Sequence, residues 1–421
     1  MRKPEDITGA SRRSFLTGAV GVAGAAAAAP ALAHAGSPKG EAYAFWGAHQ
    51  AGIVTPQQGH SYFAAFDLVA EKKEDVAALM RLWTTAAATL TAGQSIPGDA
   101  GDDAPAADSG ETLGLTPSRL TITFGFGPGL FTKDGKDRYG LAGLRPAALI
   151  DLPRFNGDQL VAERTGGDIS IQACADDAQV AFHAVRQLAR IGYDQARLRW
   201  AQPGFIGGYG PGKTPRNLMG FKDGTMNPPA TDAKLMDQFV WVGADDAAWM
   251  RGGSYQVARP IRIALEHWDR MKLSFQEQCM GRRKGSGAAF GKTAELDPID
   301  LDAVDKDGNP LIPENAHVRL GAPATNGGAQ ILRRSYSYDN GLGFVAERWP
   351  PWRQGMEFDA GLLFVCYQRD PRTGFVKIFE TMSKFDMMNQ FVTHIGGGLF
   401  ACPPGAASGR FIGEALFAAG P

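Results

Sequence analysis

The sequence predicts an α+β protein of two ferredoxin-like domains, each an antiparallel sheet with helices packed on one face. Three observations carry this expectation. Short runs alternate apolar and polar residues with a period of two, and the segments between them carry apolar residues at helical spacing. Over the first half these follow one another as β-α-β-β-α-β. The second half repeats the theme less regularly, as an old duplication would leave it.

Taken in order, residues 62–69 (YFAAFDLV) read as a buried strand. KEDVAALMRLWTTAAATL then places Val76, Leu79, Met80, Trp83, Ala87 and Leu90 on one helical face. Residues 93–107, rich in Gly, Asp, Ala and Pro, form a solvated loop, and 119–127 (RLTITFGFG) resume strand. Ile169, Ile171 and Ala173 alternate with Ser170, Gln172 and Cys174, the pattern of a half-buried strand. Ala181, Ala184, Val185 and Leu188 share a helical face, and ARLRWAQP closes the first unit as a strand. In the second unit GGSYQVARPIRIALEHWDRM runs from strand into helix. ILRRSYSY and AGLLFVCYQRD are strands, GFVKIFETM is a short amphipathic helix and GGGLFACPP a last strand. The Pro- and Gly-rich residues 203–230 are the hinge, which gives domains at 36–225 and 226–421 and sets the hinge beside a favoured place for a ligand cleft.

Residues 1–35 are a separate matter. SRRSFL pairs two arginines ahead of an Ala/Gly run that ends in Ala33-His34-Ala35, a twin-arginine export signal with its cleavage site. That route carries folded proteins, so the expected location is the periplasm and a cofactor loaded before export is expected. No interior apolar run is long enough to span a bilayer, so no stable membrane insertion is expected after cleavage. Lys and Arg (43) nearly cancel Asp and Glu (44), which leaves no field to recruit nucleic acid. The four cysteines form no C-x-x-C, which argues against a zinc ribbon, a thioredoxin-like pair and covalent haem attachment; no disulfide is assigned.

The chemistry-bearing residues are few. GFKDGTMNP sets Asp223 among glycines that let a backbone lie close to a large flat partner. His317 in ENAHVRL stands near the start of a short apolar segment, whereas the other histidines read as packing or leader residues. Sixteen residues on come Arg333 and Arg334, on a strand that should be largely buried, where a guanidinium is costly without an anionic partner. There is no P-loop, dinucleotide fingerprint or nucleophile elbow.

GFKDGT, HVRL followed by ILRRSYSY, GLLFVCYQRDP and FWGAHQAGIVTPQQ, in that order behind an export signal, resemble the dye-decolorising peroxidases. The likeness covers nearly the whole mature chain and is greatest to the exported subgroup of bacterial iron-uptake systems, also described as deferrochelatases. It implies one non-covalent b-type haem between the sheet and helices of the C-terminal half. Residue by residue, it puts His317 on the iron as the proximal ligand, and Asp223 and Arg333 on the opposite, distal face as the catalytic pair. Gly224, Thr225 and Met226 would touch the haem, as would Ala322, Pro323 and Ala324 beyond the ligand. At that last segment the chain departs from the subgroup, which would have a polar and a basic residue flanking the proline. Asp370 of YQRDP is the expected acceptor for the free ring N–H of His317. The implied activity is peroxidation: hydrogen peroxide yields a ferryl intermediate that oxidises bulky organic reductants such as dyes. An aspartate base, titrating near ~3.9 when free, suits an acidic optimum. Two alternatives stay open, a deferrochelatase that frees iron from an intact tetrapyrrole and a haem carrier without turnover. An iron-uptake partner and a homo-oligomer stay open as well.

Overall fold

The computed structural model of the chain describes residues 40–98, 105–210, 212–346 and 354–419, so the export signal expected at 1–35 lies outside the described residues. In the first half the strands are β1 (His60–Leu68), β2 (Thr121–Phe126), β3 (Ile169–Ala175) and β4 (Ala196–Phe205). They lie side by side as β4-β1-β3-β2, every pair antiparallel. The helices Lys73–Thr91 and Ala178–Ile191 pack on one face. Val76, Leu79, Met80, Trp83, Ala87 and Leu90 are all buried, the stripe that the helical spacing demands. The second helix starts at Asp177, whose Oδ1 accepts from the amides of Gln179 (2.7 Å) and Val180 (3.2 Å), two donors that the first turn leaves unpaired.

The second half supplies β5 (Ser254–Ile263), β6 (Leu332–Arg333), β7 (Tyr336–Ala346), β8 (Gln354–Gln368), β9 (Val392–His394) and β10 (Gly398–Cys402). Its long strands lie as β10-β5-β8-β7. Ranked by position along their own half, both sheets have the order fourth, first, third, second, so the topology repeats. ILRRSYSY is one strand with a break. Across the break the register on β8 is kept, Arg333 opposite Cys366 and Tyr336 opposite Leu363, and it shifts only further along β7, between Asp339 and Leu342. Between β6 and β7 the Arg334 amide still donates to Val365 O at 2.7 Å.

The two sheets meet edge to edge, through Phe205 opposite Ser337 and Phe126 opposite Ala401, and so close into a ring. This corrects the half-buried reading of β3, all of whose residues are buried. Its Ile169, Ile171 and Ala173 face the helices, while Ser170 and Gln172 face other strands across the ring. Several polar groups inside it pair with one another. Gln256 Nε2 donates to Gln172 Oε1 (2.9 Å) and to Tyr367 Oη (2.7 Å), and Tyr367 Oη donates to Gln172 Oε1 (2.7 Å). The four cysteines are free and buried. On the outer face of the second sheet, β5, β8 and β9 and the helix Phe375–Phe385 leave a cavity between them.

Candidate active site

The cavity, about 220 Å³, is lined by Ile261 and Ile263 of β5, Leu362 and Phe364 of β8, and Phe379 and Met382 of the helix. These apolar walls follow from the alternation of the two strands and the spacing of the helix. Polar groups from separate parts of the chain line it as well.

One is His317, the first residue of a short helix, His317–Leu320. Its Nδ1–H donates to Asp386 Oδ2 at 2.6 Å, which fixes the tautomer and leaves Nε2 without a hydrogen-bond partner among the described residues. About a third of the side chain (34 %) is open, and the residue borders the cavity. Burial alone would push the imidazole pKa down. The Asp386 carboxylate outweighs that and holds it above its ordinary value. Asp386 is itself fixed, since its Oδ1 accepts from the Met388 amide at 2.8 Å where the chain leaves the helix Phe375–Phe385.

Elsewhere in the lining the glycine loop meets β6. Arg333 Nη1 donates to Asp223 Oδ1 at 2.6 Å. Asn227, which sequence reasoning passed over, ties the loop to the strand, because its Nδ2 donates to Arg333 O (2.7 Å) and its Oδ1 accepts from the Arg333 amide (3.1 Å). The Asp223 amide donates to Pro215 O at 2.8 Å, so backbone as well as side chain sets the carboxylate. Gly224 has φ +121°, a region that strains any side chain, although the nearest atom to an added Cβ would be a distant 3.7 Å. Conformation, not crowding, requires glycine there. Both Asp223 and Arg333 lie near enough to His317 to act on its charge.

Of the other expected contacts, Gly224, Thr225, Met226, Ala322 and Pro323 border the cavity, and Ala324 does not. Asp370 is a correction. Its carboxylate pairs with Arg372, two residues along (2.7 Å), and it is Asp386 that accepts from His317. The local turn after β8 closes that pair, whereas Asp386, 69 residues from His317 in the chain, reaches it only through the fold. No spacing in the sequence announces such a pair. The carboxylate capping the turn after a helix, in SKFDMMNQ, was the one available sign. A third acid, Glu295, accepts from Thr225 Oγ1 (3.0 Å) and from the Lys222 ammonium at the cavity rim. No cluster of His, Cys, Asp and Glu fit to hold a metal ion by itself occurs among the described residues.

These residues fit a haem. An imidazole with an unshared Nε2, backed by a carboxylate through its other nitrogen, and a carboxylate–guanidinium pair line the same largely apolar chamber.

Comparisons with known proteins point the same way. Residues 50–206 match the N-terminal model of the Dyp-type peroxidases and residues 214–407 the C-terminal one. The chain is 37 % identical to a dye-decolorizing peroxidase of Thermobifida fusca, with 99 % of each chain covered. It is 38 % identical to a deferrochelatase of Escherichia coli K12, with 96 % of each covered. Among solved structures it resembles DtpA of Streptomyces lividans in an X-ray generated oxyferrous complex, at 41 % identity and a TM-score of 0.79 over 90 % of this chain and 98 % of that one. A DyP-type peroxidase of Streptomyces coelicolor matches at 40 % and 0.80 over the same shares.

Proposed function

Since the chain belongs to the Dyp-type peroxidase family and is therefore a haem-dependent peroxidase, we propose that His317 holds the iron, that Asp223 and Arg333 handle the peroxide, and that Asp386 tunes the imidazole. The observation that carries this reading is that the His317–Asp386 couple and the Asp223–Arg333 couple line one cavity.

When bound, haem supplies an open iron position and the electrons that reduce peroxide to water. The protein supplies the proton path. Asp223 Oδ1 is occupied by Arg333, while Oδ2 has only a long contact from Asn217 Nδ2 at 3.4 Å. Oδ2 is thus the atom free to take the proton from the near peroxide oxygen and return it to the far one, which leaves as water. Arg333 keeps the carboxylate charged and stabilises the negative charge that builds as the O–O bond parts. Asp386 makes Nε2 of His317 a stronger donor by accepting from Nδ1. Gly224, Thr225, Met226, Ala322 and Pro323 would lie against the porphyrin. Bulky reductants would deliver electrons at the surface rather than enter the chamber.

In His317→Ala the haem absorption band is lost or its ligation changes. In Asp223→Asn and Arg333→Leu the haem stays, and its reaction with peroxide, followed by stopped-flow absorbance, slows by ~10²- to 10⁴-fold. An unchanged band in the histidine variant, or an unchanged rate in the other two, sinks the assignment.

The relatives named deferrochelatase favour a second activity in the same cavity, release of iron with two protons taking its place on an intact tetrapyrrole. Incubation with haem, followed by porphyrin fluorescence, detects it. We also propose export by the twin-arginine route to the periplasm, from SRRSFL and the Ala33-His34-Ala35 site, and a role beside an iron-uptake system. A domain boundary at 225/226 and a homo-oligomer belong to the same proposal, open to limited proteolysis and light scattering. Among the described residues no helix is long and apolar enough to cross a membrane.

A further inference from the structure

The cavity wall carries a cation that the peroxide chemistry leaves unused. Arg282, just beyond the helix Leu273–Met280, is only 7 % exposed. A guanidinium at that depth is costly unless an anion answers it. Its Nη1 donates to Gly287 O (2.7 Å) and Glu295 O (3.0 Å), carbonyls that pin the group without neutralising it. Its Nε and Nη2 have no hydrogen-bond partner among the described residues, and the residue borders the cavity.

The charges on this wall do not balance. Lys222 is taken by the Glu295 carboxylate and Arg333 by Asp223, so both nearby acids are engaged and the charge of Arg282 is left over. Burial, and then Arg333 on the same wall, pull the Arg282 pKa below its ordinary value against the pull of Glu295. At the segment where the family resemblance implies a polar and a basic residue beside the proline, the chain has Ala322 and Ala324, whose side chains offer a carboxylate no donor.

We propose that Arg282 binds a propionate carboxylate of the haem, with Nε and Nη2 as the donors. This rests on the haem reading above. A guanidinium fork with two free N–H groups matches a carboxylate in shape and charge. Its prior attachment to Gly287 and Glu295 means little freedom is lost on binding.

The test titrates haem-free protein with haem and with haem dimethyl ester, which has the same ring and iron but no propionate charge, and reads affinity from the haem absorption band. Wild type favours haem over the ester by roughly 10- to 100-fold, the range of one charge-assisted hydrogen-bonded contact. Arg282→Gln loses most of that preference by weakening haem alone, and Arg282→Lys regains part of it. A wild type that binds the two equally overturns the proposal without any variant, as does an Arg282→Gln protein that keeps the full preference. Failure of the haem reading looks different, because wild type would then develop no histidine-ligated spectrum with either compound.

Discussion

With His317 on the iron as proposed, Asp386 would set how strongly it donates, because the 2.6 Å bond gives Nδ1 a full carboxylate to lean on. In Asp386→Asn the ring still faces the cavity but loses its anionic acceptor. Haem affinity should fall ~10- to 100-fold, and the iron–histidine stretch in resonance Raman spectra should move to lower frequency. Asp370→Asn should leave both readings at wild-type values, since Asp370 is spent on Arg372. The reverse pattern would restore Asp370 as the partner. Asp223 and Arg333 stood out in the sequence by their surroundings, a glycine frame for one and an arginine doublet on a buried strand for the other, while the roles expected of them came from the family resemblance. Asp386 did not, since nothing near it in the chain distinguishes it from an ordinary cap.

The segment 105–115 is an element without regular structure of its own, held on the helix Ala178–Ile191 by side chains. Glu111 is its main tether, with Oε1 2.9 Å from Arg186 Nη1 and Oε2 3.2 Å from His183 Nδ1. Burial would raise its pKa, but hydrogen bonds from Ser109, from backbone and from Arg186, with His183 close by, bring it down to about 2. A depressed carboxylate stabilises the fold above its ordinary pKa of 4.5 and loses that contribution as the pH falls toward 2. Glu111→Gln should therefore cost about 1–3 kcal/mol near neutrality. In urea titrations the two proteins should converge as the pH approaches the depressed value, and a gap that stays constant with pH would refute the tether. The helix itself was legible because its apolar spacing is local. The burial of both faces of β3 was not, because the second face is covered by strands far away in the sequence.

At the scale of the whole molecule, ring closure and packing put every thiol out of reach. Cys174, Cys366 and Cys402 sit on strands and Cys279 in a helix, all buried, and burial pushes the last three thiols above their ordinary pKa. A disulfide reagent should titrate none of them in the native protein and four after unfolding in guanidinium. Fast reaction of any native thiol would mean that the packing opens under native conditions. The duplicated order of the two sheets was legible as a repeated theme, but the seams at Phe205–Ser337 and Phe126–Ala401 were not, since a single bridge leaves no pattern in the sequence. The break between β6 and β7 falls where those two environments meet. Arg333 points out to the cavity, and its neighbour Arg334 points in, spending Nη1 on Thr55 O at 2.5 Å and a second donor on the Gln58 amide oxygen. A slip of this strand by one residue would trade the two guanidiniums between chambers. The doublet would keep a positive charge facing Asp223 after such a slip, so identity at these two positions cannot guard the alignment. That duty falls to their neighbours, Asn227 gripping the backbone on one side and Tyr336 filling the interior on the other.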